Sequence, residues 1–130
     1  MSIALLDSHV VYWWSSEPTR LSSSARRAID RAGELAVAAV SWYELAWLAV
    51  HGRIKVPLPT RSWLEGLSEQ IRTVGLTPAI GETAAALPDA FPRDPIDRII
   101  YATAIEHGWR LVSKDERMRS FAGARQTIVW

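Results

Sequence analysis

Four acidic residues lie in distant segments of this chain but in similar local settings: Asp7, Glu44, Asp97 and Asp115. Each follows an apolar run or lies in the first turn of a predicted helix. Carboxylates that are crowded together repel one another, and some stay protonated unless a cation is present. A divalent cation such as magnesium prefers oxygen ligands, removes that repulsion, and can activate water and stabilise charge on a phosphodiester. These residue types therefore indicate a divalent metal site for phosphodiester chemistry, provided that the fold brings the acids together.

The elements that position these acids are predicted from apolar runs, capping residues and helix breakers. The predicted strands are Ile3–Leu6, Leu35–Val40, Val74–Leu76, Arg110–Ser113 and Ile128–Trp130. The predicted helices are Val11–Trp14 with Ser8 as its cap, Ser22–Arg31, a helix from Ser41 to Gly52, Trp63–Arg72, Gly81–Leu87, Ile96–His107 closed by Gly108, and a turn that ends at Arg119. Strands that alternate with helices predict an α/β fold, with a parallel sheet of four or five strands covered by helices on both faces.

The predicted topology places the four acids at one end of the sheet. Parallel sheets carry their sites beyond the carboxyl ends of the strands, where the helices begin. Asp7 directly follows the first strand, which we expect to be central, and Asp115 follows the fourth strand. Glu44 follows the second apolar run by one helical turn, and Asp97 lies in the first turn of the longest helix. We therefore expect the four carboxylates to share one site.

Each acid also has a structural interpretation. The segments Ser41–Glu44 and Ser113–Glu116 both have the form of a capping box, in which a serine caps a helix and a glutamate reaches back. Asp94 followed by Pro95 is a good helix cap. The negative charge of Asp97 would be stabilised by the positive N-terminal end of the same helix. Asp7 has no obvious capping duty. Capping and metal binding are compatible, because a capped helix start holds its neighbours rigidly.

The composition restricts the class of protein. With 130 residues, of which 48% are hydrophobic, the chain is expected to form a single domain over residues 1–130 with a packed core. The net charge of +1 is too balanced to indicate nucleic-acid binding by overall charge alone, and the absence of cysteine excludes disulfides and thiolate zinc sites. The N-terminal segment lacks the basic region of a signal peptide, and no apolar run is long enough to span a bilayer. We expect a cytoplasmic protein.

Three segments together resemble the signature segments of PIN-domain proteins, most closely the VapC-type toxins of bacterial toxin–antitoxin pairs. They are LLDSHVVYWW, SWYELA and DPIDRIIYATAIEHGWRLVSKDERM, and the resemblance extends from Ile3 to Trp130. It implies a Rossmann-like α/β/α sandwich whose acidic pocket binds Mg²⁺ or Mn²⁺ and cuts RNA. It also implies a toxin that inhibits translation and is neutralised by a cognate antitoxin.

The resemblance assigns roles to individual residues. The family's catalytic and metal-binding acids fall on Asp7, Glu44, Asp97 and Asp115, with Asp7 and Asp97 as the principal ligands. Asp94 matches a further acid of the subgroup with a DPxDR helix start. Where that subgroup often has histidine this chain has Pro92, and where it often has threonine this chain has Ser8 and Ser113. Both serines keep the hydroxyl group.

Basic residues near the expected pocket are candidates for phosphate contacts. Arg98, next to Asp97, is the preferred candidate, followed by Arg93 and Lys114. A solvated surface with ion pairs is the alternative for each of them. The histidines His9, His51 and His107 are scattered, and we assign none of them to metal binding or catalysis.

Aromatic residues are concentrated in the first and third predicted helices: Trp13, Trp14, Trp42, Tyr43 and Trp47. Neighbouring residues cannot all face one side of a helix, so an exposed aromatic surface is expected in addition to core packing. This surface would bind an antitoxin segment, a second copy of the chain in a homodimer, or both.

Two other functions are considered. A phosphotransfer enzyme of the haloacid dehalogenase type also has an aspartate after its first strand, but it needs a second aspartate two positions later, where this chain has His9. A PIN-like module that binds RNA or protein without catalysis is the alternative from another class. The intact acidic set favours the enzyme, and a cleavage assay with metal titration separates the two.

Overall fold

A computed structural model describes residues 2–57, 59–121 and 123–130. Its centre is a sheet of five parallel strands in the order β3-β2-β1-β4-β5. The strands are β1 (Ile3–Leu6), β2 (Glu34–Ala38), β3 (Arg72–Val74), β4 (Arg110–Val112) and β5 (Ile128–Val129). The prediction of a parallel sheet with Ile3–Leu6 at its centre is confirmed.

Seven α-helices connect these strands within the described residues. They are α1 (Ser8–Ser16), α2 (Ser23–Arg31), α3 (Val40–Val50), α4 (Thr60–Ser68), α5 (Pro78–Ala86), α6 (Pro95–His107) and α7 (Glu116–Ser120). Short 3₁₀ turns occur at Pro18–Arg20 and Ala124–Gln126. No helix in these ranges is long and apolar enough to cross a membrane.

Side-chain alternation along β1 divides the core into two layers. Leu6 belongs to a cluster with residues of α1 to α4, whereas its neighbour Leu5 packs with Ile100 and Tyr101 of α6. Successive residues of a strand point to opposite faces, so a continuous apolar strand needs helices on both sides. The expected α/β/α sandwich is confirmed, and α5 packs on the outside of α6 through Ile80.

Two serine caps expected from the sequence are wrong. Helix α1 begins at Ser8, and its cap is Asp7, whose side chain accepts a hydrogen bond from the Ser8 N–H. Helix α3 begins at Val40 with no side-chain cap, and the buried Ser41 hydroxyl makes no hydrogen bond with the described residues. In both places the helix starts immediately after a buried strand, so the chain direction imposed by the sheet decides where the helix begins.

Other boundaries follow local chemistry. Asp94 caps α6 by accepting from the Ile96 N–H at 2.8 Å, and Gly108 ends the helix at a φ of +68°, as expected. Helix α5 begins earlier than expected because Thr77 caps it and Pro78 occupies its first turn. Strand β3 also begins earlier, at Arg72, since α4 stops at Ser68.

Arg98 has a structural role, which corrects its assignment as the preferred phosphate contact. Its guanidinium donates hydrogen bonds at 2.9–3.5 Å to five carbonyl oxygens of the segment 84–92, those of Ala84, Leu87, Pro88, Phe91 and Pro92. Because all the N–H donors of this guanidinium point at backbone carbonyls, no donor remains to bind a phosphate. Arg98 therefore ties the loop before α6 to the first turn of that helix.

The structural role of Arg98 predicts the effect of Arg98→Lys. Lysine keeps the positive charge but lacks the planar fork, so most of these carbonyl bonds would be lost. We expect the free energy of unfolding in urea to fall by about 1–3 kcal/mol. The exposed Arg93, changed to lysine in parallel, should leave it unchanged. Equal stability of the two variants would contradict the role assigned to Arg98.

Candidate active site

The expected acids line one cavity of about 400 Å³ at the carboxyl ends of the central strands. Its lining includes all four predicted acids and the additional acid of the α6 cap; the complete lining is Asp7, His9, Trp13, Glu44, Asp94, Asp97, Lys114, Asp115 and Glu116. Segments distant in sequence thus meet where the topology of the parallel sheet predicts.

Asp7 is the most strongly constrained of these acids. Its backbone N–H continues the sheet by donating to the Val112 carbonyl at 3.0 Å, and the residue is 8% exposed. One carboxylate oxygen accepts from the Ser8 N–H at 2.8 Å, and the other accepts from the Ser113 hydroxyl at 2.7 Å. Burial raises the pKa of Asp7, while these two hydrogen bonds oppose the increase. The carboxylate is held in one orientation at the floor of the cavity.

Ser113 connects Asp7 to Asp115. The Ser113 hydroxyl donates a hydrogen bond to the Asp7 carboxylate, and its oxygen accepts one from the Asp115 N–H at 3.1 Å. Asp115 then caps α7 by accepting from the Met118 N–H at 2.9 Å. The expected capping box is therefore wrong in its detail, because Asp115 caps this helix and Ser113 orders two acids instead.

Asp97 and Glu44 lie in environments that disfavour their charged forms. Burial, followed by the negative charges of Asp7, Asp94, Asp115 and Glu44, raises the pKa of Asp97 to about 8. Burial also raises the pKa of Glu44, and the charge of Asp7 adds to the increase. The cavity therefore concentrates more carboxylates than it can hold ionised without a counter-charge.

The donor set suits a hard divalent cation. The cavity offers carboxylate oxygens from four segments and one ammonium group, that of Lys114. The buried Ser8 hydroxyl lies beside Asp7 and near Glu44, where it favours the charged form of the Glu44 carboxylate and so opposes part of the rise in its pKa. Across residues 2–57, 59–121 and 123–130, no three acidic or histidine side chains are already close enough to ligate one ion together. Binding would require the carboxylates to move closer.

Three lining residues were not predicted as site residues. His9 and Trp13 are four residues apart in α1, so they share a helix face, and their ring centroids are 5.8 Å apart. Glu116 directly follows Asp115. The sequence could have indicated these two residues, because they lie in the helix that Asp7 caps. His9 is in the first turn of α1, and Trp13 is one turn further on.

The three basic residues predicted to contact phosphate have different positions. Lys114 lines the acidic cavity and is exposed, as expected of a phosphate contact. Arg93 instead lines a neighbouring cavity with Phe91 and Arg117, which shares Glu116 with the acidic one. Only Lys114 of the three is placed at the acids, since Arg98 is bound to the preceding loop.

The sheet order and the acidic cavity define a known class: the chain belongs to the PIN domain family, whose model matches residues 4–124. A relative named Ribonuclease VapC22, from Mycobacterium tuberculosis, is 62% identical over 130 residues, which cover 100% of both chains.

Solved structures share the fold at low sequence identity. A toxin–antitoxin complex from Klebsiella pneumoniae contains a chain with a TM-score of 0.69 and 20% identity, covering 98% of this chain and 96% of that one. A DNA-bound VapBC from Salmonella typhimurium contains one with a TM-score of 0.70 and 14% identity, covering 98% and 97%. These likenesses extend over nearly the whole chain.

The raised pKa of Asp97 predicts a pH-dependent stability of the metal-free protein. In the folded state the Asp97 carboxyl keeps its proton up to about pH 8. In the unfolded state the same carboxyl loses its proton near the ordinary pKa of 3.8. The folded state therefore binds more protons in this window, and the free energy of unfolding should fall as the pH rises through it. Urea unfolding in EDTA at about pH 5 and about pH 9 measures the fall.

Asp97→Asn replaces the acid with a neutral side chain of similar shape. The fall in the free energy of unfolding with rising pH should therefore be smaller, and the variant should be more stable than the parent at the higher pH. Asp30→Asn, at an exposed acid of α2 outside the cavity, is the control. The prediction is wrong if both variants follow the pH profile of the parent.

Proposed function

We propose that the chain is a metal-dependent endoribonuclease, the toxin of a toxin–antitoxin pair, which hydrolyses RNA with Mg²⁺ or Mn²⁺. The observation that carries this proposal is the single cavity lined by Asp7, Glu44, Asp94, Asp97 and Asp115. Membership of the PIN domain family and 62% identity to a relative named as a ribonuclease support it.

The acids have distinct tasks in this proposal. Asp7 and Asp97 are the principal metal ligands, and Glu44 and Asp115 bind the ion directly or through water. When bound, the ion supplies an activated water nucleophile and neutralises charge on the phosphodiester. Two hydrogen bonds fix the orientation of the Asp7 carboxylate before an ion binds. Because the pKa of Asp97 is raised to about 8, this carboxyl keeps its proton at neutral pH and would release it on ion binding.

The remaining residues of the cavity act on the substrate. Glu44 of α3 and Asp115 at the start of α7 line the cavity together with Asp7 and Asp97, and one of the two orients the attacking water. Lys114 contacts the phosphate, where its positive charge offsets that of the scissile group. The reaction in this scheme needs no protein nucleophile, which agrees with a cavity that offers mainly carboxylates.

Three substitutions test this assignment. Asp7→Asn and Asp97→Asn each remove a ligand charge, and each should lower RNA cleavage by at least ~100-fold, since even residues that only support ligands contribute 10- to 100-fold. Asp94→Asn keeps a good capping residue, so it should be nearly silent if Asp94 only caps α6. The measurement is cleavage of RNA against the Mg²⁺ and Mn²⁺ concentrations, with folding checked by circular dichroism.

Two results would contradict the metal mechanism. One is full activity of the parent in EDTA, and the other is an Asp7→Asn protein as active as the parent. If the folded parent bound RNA without cleaving it at any metal concentration, the non-catalytic PIN-like module would be the better description.

An exposed apolar face of α3 supports an antitoxin partner. Tyr43, Trp47 and Val50 are spaced so that they share one side of the helix, and they are 64%, 39% and 70% exposed. Trp42 faces elsewhere and donates a hydrogen bond to the Thr73 hydroxyl. We propose that an antitoxin segment packs on this face, as the names of the toxin–antitoxin structures with the same fold suggest.

The partner surface predicts the effect of Trp47→Glu. A charged side chain at the centre of an aromatic interface should weaken antitoxin binding by tenfold or more, because such anchors act as hot spots. RNA cleavage by the free protein should be unchanged. Ile105→Glu, at a residue of α6 that is 42% exposed, is the matched control. Unchanged antitoxin binding together with loss of a homodimer in sedimentation would show that a second copy of the chain uses this face instead.

A further inference from the structure

Two tryptophan rings extend from the rim of the acidic cavity. Trp13 lines the cavity, and its ring centroid lies 5.7 Å from that of Trp130, with the two planes inclined at 53°. Both side chains are partly exposed. The two rings pack at an inclined angle rather than face to face, and His9 is a further neighbour of the Trp13 ring, with 5.8 Å between the ring centroids. The ammonium of Lys114 lies 5.8 Å from the centre of the Trp13 ring, so a cation accompanies the aromatic surface.

A second cavity continues from this ring pair. It measures about 490 Å³, and its lining contains Trp130, Arg119 and Arg125. Glu116 lines both this cavity and the acidic one, which makes the two neighbours. Neither arginine side chain forms an ion pair or a hydrogen bond with the residues that the structure describes. Their charges are therefore available to an anionic ligand.

This arrangement has the components of a site for single-stranded nucleic acid. Aromatic rings accept unpaired bases by stacking, and positive groups beside them hold the backbone phosphates. A base in a duplex is already stacked and paired, so it cannot reach an isolated ring. The surface also begins at the acids, where the scissile phosphate must lie, and a strand bound there has to leave across the rim.

We propose that Trp13, Trp130, Arg119 and Arg125 form a binding path for single-stranded RNA next to the cleavage site. The Trp130 ring, which packs against Trp13, holds a base close to the scissile phosphate, and the two arginines hold the phosphates of the nucleotides beyond it. This inference rests on the proposed RNA cleavage and adds to it the position of the substrate outside the acidic cavity. The path also gives a role to two arginines whose side chains contact no acid or hydrogen-bond acceptor among residues 2–57, 59–121 and 123–130.

Binding of a single-stranded RNA of about ten nucleotides, a length typical of such sites, tests the path. The RNA carries a fluorescent label, and its anisotropy is measured in EDTA, with a gel confirming that it stays intact. Trp130→Leu should weaken binding by about 5- to 150-fold, which corresponds to one lost base stack, and leave the salt dependence unchanged. Arg119→Gln and Arg125→Gln should each lower the slope of log Kd against log salt by about 0.7, the value for one phosphate contact of a single strand.

Matched controls come from the opposite end of the sheet. Trp109 precedes β4 and, like Trp13, has a cation near its ring, the Arg72 guanidinium at 5.7 Å. Arg31 is an exposed arginine of α2 that lines a different cavity. Trp109→Leu and Arg31→Gln should leave both the affinity and the salt slope unchanged. Thermal unfolding of every variant verifies folding, and the exposed Arg125 provides the test if Trp130→Leu proves unstable.

The outcomes separate this inference from the proposed function. If the Trp130 and arginine variants bind RNA like the controls, the path is wrong, even if the parent cleaves RNA with Mg²⁺. The path is also wrong if these variants weaken antitoxin binding and leave RNA binding unchanged, since the surface would then be a protein interface. If the parent never cleaves RNA but the variants show the expected losses, the path is supported and the ribonuclease proposal fails.

Discussion

The buried carboxylate of Asp7 is the constraint on which the site depends. A charged group removed from water is costly unless hydrogen bonds compensate it. Here the compensation comes from two different elements, the Ser8 N–H at the start of α1 and the Ser113 hydroxyl after β4. The same residue continues the sheet through the Val112 carbonyl. Asp7 thereby joins two neighbouring strands and a helix at the point where the acids meet.

Three further acids are held near Asp7 by helix caps and by hydrogen bonds that involve residues of the cavity itself. Asp94 caps α6, and Arg98 ties the first turn of this helix to the preceding loop, so Asp97 is held by a rigid helix start. Ser113 similarly positions Asp115. Burial and, after it, the neighbouring carboxylates disfavour the charged form of Asp97 and raise its pKa, so the fold keeps these acids together at a cost in stability. A protein that concentrates charge in this way is more stable when a counter-ion is present.

The protein surface has a different chemical character on α3 and near the C-terminus. Towards α3 the surface is apolar, with Trp47 exposed, whereas towards the C-terminus it is aromatic and basic, with Trp130 and Arg125. Apolar area suits a protein partner, and rings with free cations suit an unpaired nucleic acid strand. Partner and substrate would therefore bind to surfaces of different chemistry.

The sequence by itself determined the features that depend on neighbouring residues. The apolar run Ile3–Leu6 predicted the central strand, and Asp94 and Gly108 predicted the ends of α6, because burial on both faces, capping and positive φ leave local signals. The four acids were found because each follows a strand or begins a helix. The expected Ser8 and Ser41 caps were wrong, since the path of the chain after each buried strand decides where the helix starts.

Only the tertiary structure decided which distant groups meet. The segment 84–92 surrounds the Arg98 guanidinium, and Trp13 lies beside Trp130 although these residues are near opposite ends of the chain. The raised pKa of Asp97 likewise depends on burial and on charges from other elements. No local pattern encodes such contacts, because the direction of a side chain and its neighbours in space are set when the helices pack on the sheet.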